Sequence, residues 1–316
     1  MFEPLNLMAR LPWESDLSIT RANTNLPGVS IVIPIFNAGN FLEKTLRSLL
    51  CNDLTGCEVI LMDGGSTDNT SSILGYYKDM FDVCISERDE GQSDAINRGF
   101  ELATKPILYW LNGDDIILPN VLTEMRGYFA THPEADVVVG NAFMTEIDFK
   151  PIKHFIFCAE KLKFEYLIDY ASNHLIQPSV FFTKVAWEKS GPLKKELHYA
   201  MDADLFIGMS KNFTFHYLDC DIAYSVYHED CKTRGKRAES ITELALVQAQ
   251  HGSFQSAQKT LDILVDIYHQ LESLTQSSGQ AGECKKCIVI DGKRKALDLE
   301  YKKNLNLALM AEIEIQ

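Results

Sequence analysis

Apolar positions in this chain fall into short continuous runs, separated by stretches where apolar residues recur every three or four positions. The runs Val29-Ser-Ile-Val-Ile-Pro-Ile-Phe-Asn37, Val59-Ile-Leu-Met-Asp-Gly-Gly-Ser-Thr-Asp68 and Ile107-Leu-Tyr-Trp-Leu-Asn-Gly-Asp-Asp115 predict strands buried on both faces, as in a parallel sheet. Between them the period is helical. Leu42, Leu46, Leu49 and Leu50 share one face of a first helix, with Asn40 as its cap and Glu43 completing a capping box. A second crossover runs from the Gly-Gly-Ser-Thr turn through Ile73 and Tyr77 towards Val83, and a third occupies Ser93 to Ala103 after the loop Arg88-Asp-Glu-Gly-Gln92. This alternation predicts βαβ units and a mainly parallel sheet.

Pro119 is expected at the first position of a helix reaching Phe129. Beyond it lie predicted strands Val137 to Gly140 and Ala142 to Asp148, a helix from Asp202 to Ser210, and strands Phe215 to Leu218 and Ile222 to Val226. From Glu239 the patterning becomes long and helical. Ala245, Ala249, Phe254, Ala257, Leu261 and Leu264 around Gly252 resemble one unit of a helical-hairpin repeat, whereas an array needs about three. A linker from Thr275 to Glu283 and a final helix are expected after it. The chain thus divides into an N-terminal extension, 1–27, an α/β domain, 28–238, and a helical extension, 239–316.

Composition removes several classes. With 316 residues, 46% apolar and 23% charged, the chain can bury a large core and is not disordered overall. A formal charge of −14 excludes a broad basic field, so nucleic acid is not an expected partner; Lys232-Thr-Arg-Gly-Lys-Arg237 is a local basic patch only. No apolar run approaches the roughly 18 to 20 residues of a membrane span, and the start lacks a basic stretch followed by an apolar core. A cytoplasmic protein is expected. Eight scattered cysteines are read as reduced, and the lone pair Cys284 and Cys287 lacks the second pair of a structural zinc site.

The chemistry lies at the strand ends. In an open α/β sheet, ligands bind at the carboxyl ends of the strands, which here carry Asp, Asn and Ser. Asp114 and Asp115 are adjacent carboxylates whose repulsion a divalent cation would relieve, and a cation beside acidic groups suggests a phosphate-bearing ligand such as a nucleotide. Alternatively the pair is the acidic N-terminus of the helix at Pro119. Asp63-Gly-Gly-Ser-Thr-Asp68 lets backbone approach a ligand, or is an ordinary βα turn with Ser66 or Asp68 as cap.

Pro34-Ile-Phe-Asn37, Asp63-Gly-Gly-Ser-Thr-Asp68, Asp89-Glu-Gly-Gln-Ser-Asp-Ala-Ile-Asn-Arg-Gly99 and Leu111-Asn-Gly-Asp-Asp115 together resemble the family 2 glycosyltransferases with the GT-A fold, over residues 28 to 235. The resemblance implies a Rossmann-like α/β sheet and an inverting, Mn²⁺- or Mg²⁺-dependent transfer from a nucleotide sugar, UDP-linked by family default. The acceptor would be a glycan or lipid-linked hydroxyl in polysaccharide biosynthesis, at the inner face of a membrane where the acceptor is embedded there. It assigns Pro34, Phe36, Asn37, Asp63 and Gly64 to the base and ribose. Asp89, Gln92, Asp94, Arg98, Asn112, Asp114 and Gln177 fall to the ribose, sugar and phosphates. Asp115 and His228 would hold the metal, Lys232 and Arg234 would cover the diphosphate, and Asp202 would be the catalytic base. Asp204, two residues on, points differently at a helix start, so one of the two should face the sugar; the alternative is that both cap the helix. Two positions depart from the pattern. Phe206 and Gly208 stand where Trp and Arg often follow, and Val226 replaces an arginine often found before the histidine.

Two other readings fit parts of the chain. A sugar nucleotidyltransferase would need a basic, glycine-rich loop after the first strand, which Asn37-Ala-Gly-Asn40 is not. A non-catalytic scaffold would use the C-terminal helices as its interaction surface, and these could also support a homo-oligomer. It would have no need to retain the acidic pair, the base and His228.

Overall fold

A computed structural model describes residues 11–13, 25–228, 231 and 236–278. Nine strands form one sheet: β1 (Val29–Ile35), β2 (Glu58–Asp63), β3 (Val83–Ser86), β4 (Ile107–Trp110), β5 (Ile116–Ile117), β6 (Val137–Thr145), β7 (Pro151–Phe155), β8 (Val180–Thr183) and β9 (Phe215–Val226). Their order is β3-β2-β1-β4-β8-β6-β9-β5, with β7 added beside β6. The first four in this order are mutually parallel; β8 runs antiparallel to β4 and β6, while β6 and β9 are parallel. The chain winds outward from β1 to β3, then returns to place β4 on the other side of β1. The carboxyl ends of β1 and β4 therefore flank a topological switch point.

Every residue of β1 is buried, as its continuous apolar run predicts. Alternation divides them between two cores. Val29, Ile31, Ile33 and Ile35 pack with Leu42, Leu46 and Leu49 of α1 (Leu42–Leu50), and Val32 faces Ile96 and Phe100 of α3 (Gln92–Leu102). The second crossover holds α2 (Thr70–Tyr76).

Several local expectations are corrected. The N-cap of α1 is Phe41, without a side-chain cap bond, so Asn40 forms no capping box. Glu43 is instead buried and accepts the Tyr77 hydroxyl at 2.9 Å, a tertiary contact that outcompetes the local one. Pro119 lies outside its helix: α4 (Val121–Thr131) follows Asn120 in the left-handed region, φ 63°, and Asn52 accepts the Leu122 N–H. The predicted strand pairs 137–140 with 142–148, and 215–218 with 222–226, each merge into one continuous strand, the first ending at Thr145 rather than Asp148. Asn141 and the Asp219-Cys220-Asp221 segment stand between the predicted strands, but they mark a register shift beside Gly140, where β6 and β9 approach closely.

The second half adds the short helices α5 (Phe164–Leu167), α6 (Tyr170–Asn173) and α7 (Lys184–Ser190), then α8 (Met201–Ser210). The expected helical hairpin is present as α9 (Arg237–Gln250) and α10 (Phe254–Ser278), turning at Gly252 with φ 96°. It packs on the rest of the fold. Val247 joins the main core, and fully buried Gln248 donates to the Ile168 carbonyl at 3.0 Å and accepts the Thr260 hydroxyl at 2.6 Å. Helix α10 runs through Thr275 to Ser278, where a linker was expected; the rest of that linker, the final helix, Cys284, Cys287, Lys232 and Arg234 lie outside the described residues. The six described cysteines form no disulfide.

Candidate active site

A cleft of about 1140 Å³ opens at the switch point. It is lined by the loops after β1 and β2, the start of α3, the loop after β4, the approach to α8 and the end of β9. Among the residues expected to bind ligand, Pro34, Phe36, Asn37, Gly64, Asp89, Gln92, Asn112, Asp114, Asp115, Gln177, Asp202 and His228 line it. Asp63, Asp94 and Arg98 do not.

The first loop is braced against the second. Asn37, at φ 50°, receives the Thr67 N–H on its side-chain oxygen at 2.9 Å and donates its own N–H to Ser66 Oγ at 2.7 Å. Phe36 is left 64% exposed, a bare ring at the rim against which a planar group could stack. Asp63 is 4% exposed and turned under the loop, accepting the Ser66 N–H at 3.0 Å and the Ser66 and Ser86 hydroxyls at 2.6 and 2.5 Å. Its glycine neighbour has a direct reason. A Cβ on Gly64 would meet the Asp89 carboxylate at 2.6 Å, so glycine lets that side chain lie directly against this edge.

Asp94 forms an ion pair with Lys195 at 2.6 Å, which holds its carboxyl below the usual range, and Arg98 pairs with Glu87. Both partners draw these side chains away from the cleft. Asn112 has all its amide capacity in use. Its oxygen accepts from Gln92 at 2.8 Å and Trp110 at 2.7 Å, and its nitrogen donates to Asp115 and Gln177, each at 3.0 Å. It organises four neighbours instead of offering a free group.

The acidic pair separates into two environments. Asp115 is 4% exposed, accepts from Asn112 and from the Val226 N–H at 3.3 Å, and is pushed well above the carboxylate range by burial and by Asp114. Asp114 opens to the cleft and lies 3.0 Å from His228 Nε2. Since β5 intervenes before α4, neither carboxylate caps that helix. His228 is buried, stacks on Phe41 at 4.1 Å between ring centroids, and its Nδ1 has no hydrogen-bond partner among the described residues. Cys231 Sγ lies within 4.8 Å of both the Asp114 and His228 ligand atoms. The thiol also receives the His228 N–H and donates to the Val226 carbonyl, which ties the loop back on itself.

Across α8 the two aspartates diverge as their spacing suggested. Asp204 faces Lys194 and His251, each at 2.9 Å, which depress its proton affinity. Asp202 lines the cleft, and burial, reinforced by the Glu243 charge, raises its pKa to about 6. Tyr170, His198, Tyr199, Phe41, Trp110 and Cys231 complete the surroundings of the cleft and its two carboxylate groups. The sequence pattern singles out neither Phe41, which lies between the expected cap residues Asn40 and Glu43, nor Cys231, one of the eight cysteines read as reduced.

A switch-point cleft with acidic strand ends, on a sheet parallel on one side and mixed on the other, is the GT-A architecture. Residues 30–184 match the family model for glycosyl transferase family 2. The matched segment ends before Asp202, Glu243 and His228. The chain is 31% identical over 128 residues to a PGL/p-HBAD biosynthesis glycosyltransferase of Mycobacterium bovis (strain BCG / Pasteur 1173P2), covering 39% of this chain and 50% of that protein. It is 27% identical over 199 residues to an uncharacterized glycosyltransferase of Rickettsia prowazekii (strain Madrid E), covering 59% of each. The chain thus spans between half and three fifths of these relatives. Among solved structures, S. aureus TarS 1–349 in complex with UDP-GlcNAc superposes with a TM-score of 0.57 at 17% identity, over 74% of this chain and 71% of that one. This likeness concerns the fold. Among the described residues no helix is long and apolar enough to cross a membrane.

Proposed function

We propose that the protein is an inverting glycosyltransferase that moves a sugar from a nucleoside-diphosphate donor, UDP-linked first among the candidates, to a hydroxyl of a glycan or lipid-linked acceptor. The observation that carries this reading is a single cleft lined both by the Asp114–His228 pair and by Asp202, whose proton affinity suits a base near neutrality. The match of residues 30–184 to the family 2 model supports the donor class, as does a fold shared with a protein crystallised with UDP-GlcNAc.

A divalent cation fits the residues present. A carboxylate and an imidazole in contact, beside an unpartnered buried Nδ1, form a donor set suited to Mn²⁺ or Mg²⁺. Asp114 and His228 are the better candidates to hold it. Asp115, expected from the sequence to coordinate directly, has both oxygens in internal hydrogen bonds and would support its neighbour. Such an ion, when bound, would neutralise charge developing on a departing diphosphate.

The chain's own residues account for the remaining steps. Phe36 presents a ring for the base, and the glycine-bearing edge at Gly64 and Asp89 lets the sugar-phosphate lie close to backbone. With a pKa of about 6, Asp202 is ionised at roughly ten to one at pH 7 and can accept a proton. The acceptor oxygen attacks the anomeric carbon, its proton passes to Asp202, and the bond to the diphosphate oxygen breaks on the opposite face, which inverts the configuration.

The test is calorimetry with UDP, GDP, dTDP and their sugar conjugates, with and without Mn²⁺, on the wild-type protein and Asp114→Ala. Mn²⁺-dependent binding of one nucleotide family, lost in the variant, is expected. Binding indifferent to both the ion and the substitution would remove the assignment.

A further inference from the structure

The helix that carries Asp202 has no side-chain cap of its own. Its N-cap is Ala200, whose side chain cannot accept a bond, and the Ala203 N–H finds the Asp202 carboxylate itself at 2.8 Å. The segment that leads into the helix, up to the Ala200 N–H, is held from outside by Glu243 of α9. One oxygen accepts from the His198 N–H at 3.0 Å, and the other accepts from Tyr199 and Ala200 at 2.5 and 2.7 Å. The carboxylate also sits where the helix dipole favours negative charge.

What hangs from this contact is the second wall of the cleft, because His198, Tyr199, Met201 and Asp202 all line it. The helix that holds Glu243 is itself anchored. Val247 is in the core, Gln248 bonds Ile168, and His251 at the end of α9 reaches Asp204 on α8 at 2.9 Å. We infer that Glu243 is a positioning residue for the transfer reaction, holding the 198–200 segment and through it Asp202, from a helix beyond the segment matched to the family. This rests on Asp202 being the base.

Two groups face Asp202 from other elements: the Tyr170 hydroxyl from α6, within hydrogen-bonding reach, and the Glu243 carboxylate from α9. On its own helix, Asp204 is occupied by Lys194 and His251. The Glu243 charge strengthens proton binding at Asp202, so neutralising it lowers the pH at which Asp202 ionises.

The experiment compares Glu243→Gln and Glu243→Asp in the full chain with the wild-type protein. Each is followed by hydrogen exchange of the 198–202 amides and by kcat, donor KM and the pH profile. In Glu243→Gln an amide NH₂ faces backbone N–H groups, so exchange at 198–200 should speed up. Turnover should fall about tenfold, the loss expected when hydrogen bonds to a charged acceptor are broken. Donor KM should stay within about twofold, and the acid limb should move to lower pH. Glu243→Asp keeps the charge on a shorter arm and should lose turnover with the acid limb unmoved. Wild-type exchange at 198–200 in the Gln variant, or wild-type turnover with an unshifted limb, overturns the inference. Exchange does not depend on turnover, so absence of any transfer by the wild-type protein would count against the proposed function while the clamp is still tested.

Discussion

Replacing Asp202 by Asn should stabilise the protein while abolishing transfer, because the cleft holds a carboxylate whose charge the fold disfavours. Burial, with the Glu243 charge added, raises its pKa from the ordinary 3.8 to about 6, against the opposing bond from the Ala203 N–H. The folded chain therefore binds this proton more tightly than the unfolded chain does. The sign is opposite to that of an ion-paired aspartate. The destabilisation is absent below about pH 3.8, grows as pH rises through the window to about 6, and is complete above it. A shift of about two units amounts to about 3 kcal/mol, and linkage over the same window leaves about half of that at pH 5. Asn has nearly the same shape and keeps an oxygen for the Ala203 N–H. Asp202→Asn should then gain up to about 3 kcal/mol at pH 7.5 and about half as much at pH 5, roughly 2–4 °C in Tm per kcal/mol. Urea denaturation of both proteins at the two pH values measures this, with donor binding and transfer assayed alongside. A variant no more stable than wild type at pH 7.5, or a gain that does not grow with pH, would refute the reasoning about burial. Retained transfer would refute the base.

Two other perturbations test the same construction. Phe41→Ala removes the ring stacked on His228 at 4.1 Å and should weaken Mn²⁺-dependent nucleotide binding by about 2- to 12-fold, the range for an aromatic pair; unchanged affinity in calorimetry would show that the stacking does not order His228. Gly140→Ala would bring a Cβ within 2.2 Å of Ile222 Cγ1 and 2.8 Å of the Cys220 carbonyl oxygen. Backbone cannot yield as a side chain does, so a loss of about 1–3 kcal/mol is expected, and a wild-type urea midpoint would contradict the close approach of β6 and β9.

The loop edges show how one rule can hold and a neighbouring one fail. Asp63, Asp94 and Arg98 stand in stretches that resemble a ligand-binding family, yet Ser66 with Ser86, Lys195 and Glu87 each capture one of them. Their neighbours Gly64, Asp89 and Gln92 do line the cleft.

Sequence alone determined what depends on period and on residue type at a strand end. Continuous apolar runs marked the buried strands, their order with the intervening helices defined the winding, and that winding placed Asn37, Asp89 and Asp114 at one edge of the sheet. Tertiary structure decided which way each polar side chain turned and what it met. The difference between Asp114 and Asp115 arises from Asn112 and the Val226 N–H, which occupy one carboxylate and leave the other to His228. The segment that leads into α8 is held by Glu243, on a helix that closes onto it only in the folded chain. Local patterning carries information about neighbours a few residues away, whereas burial and hydrogen-bond competition involve groups brought together only by folding.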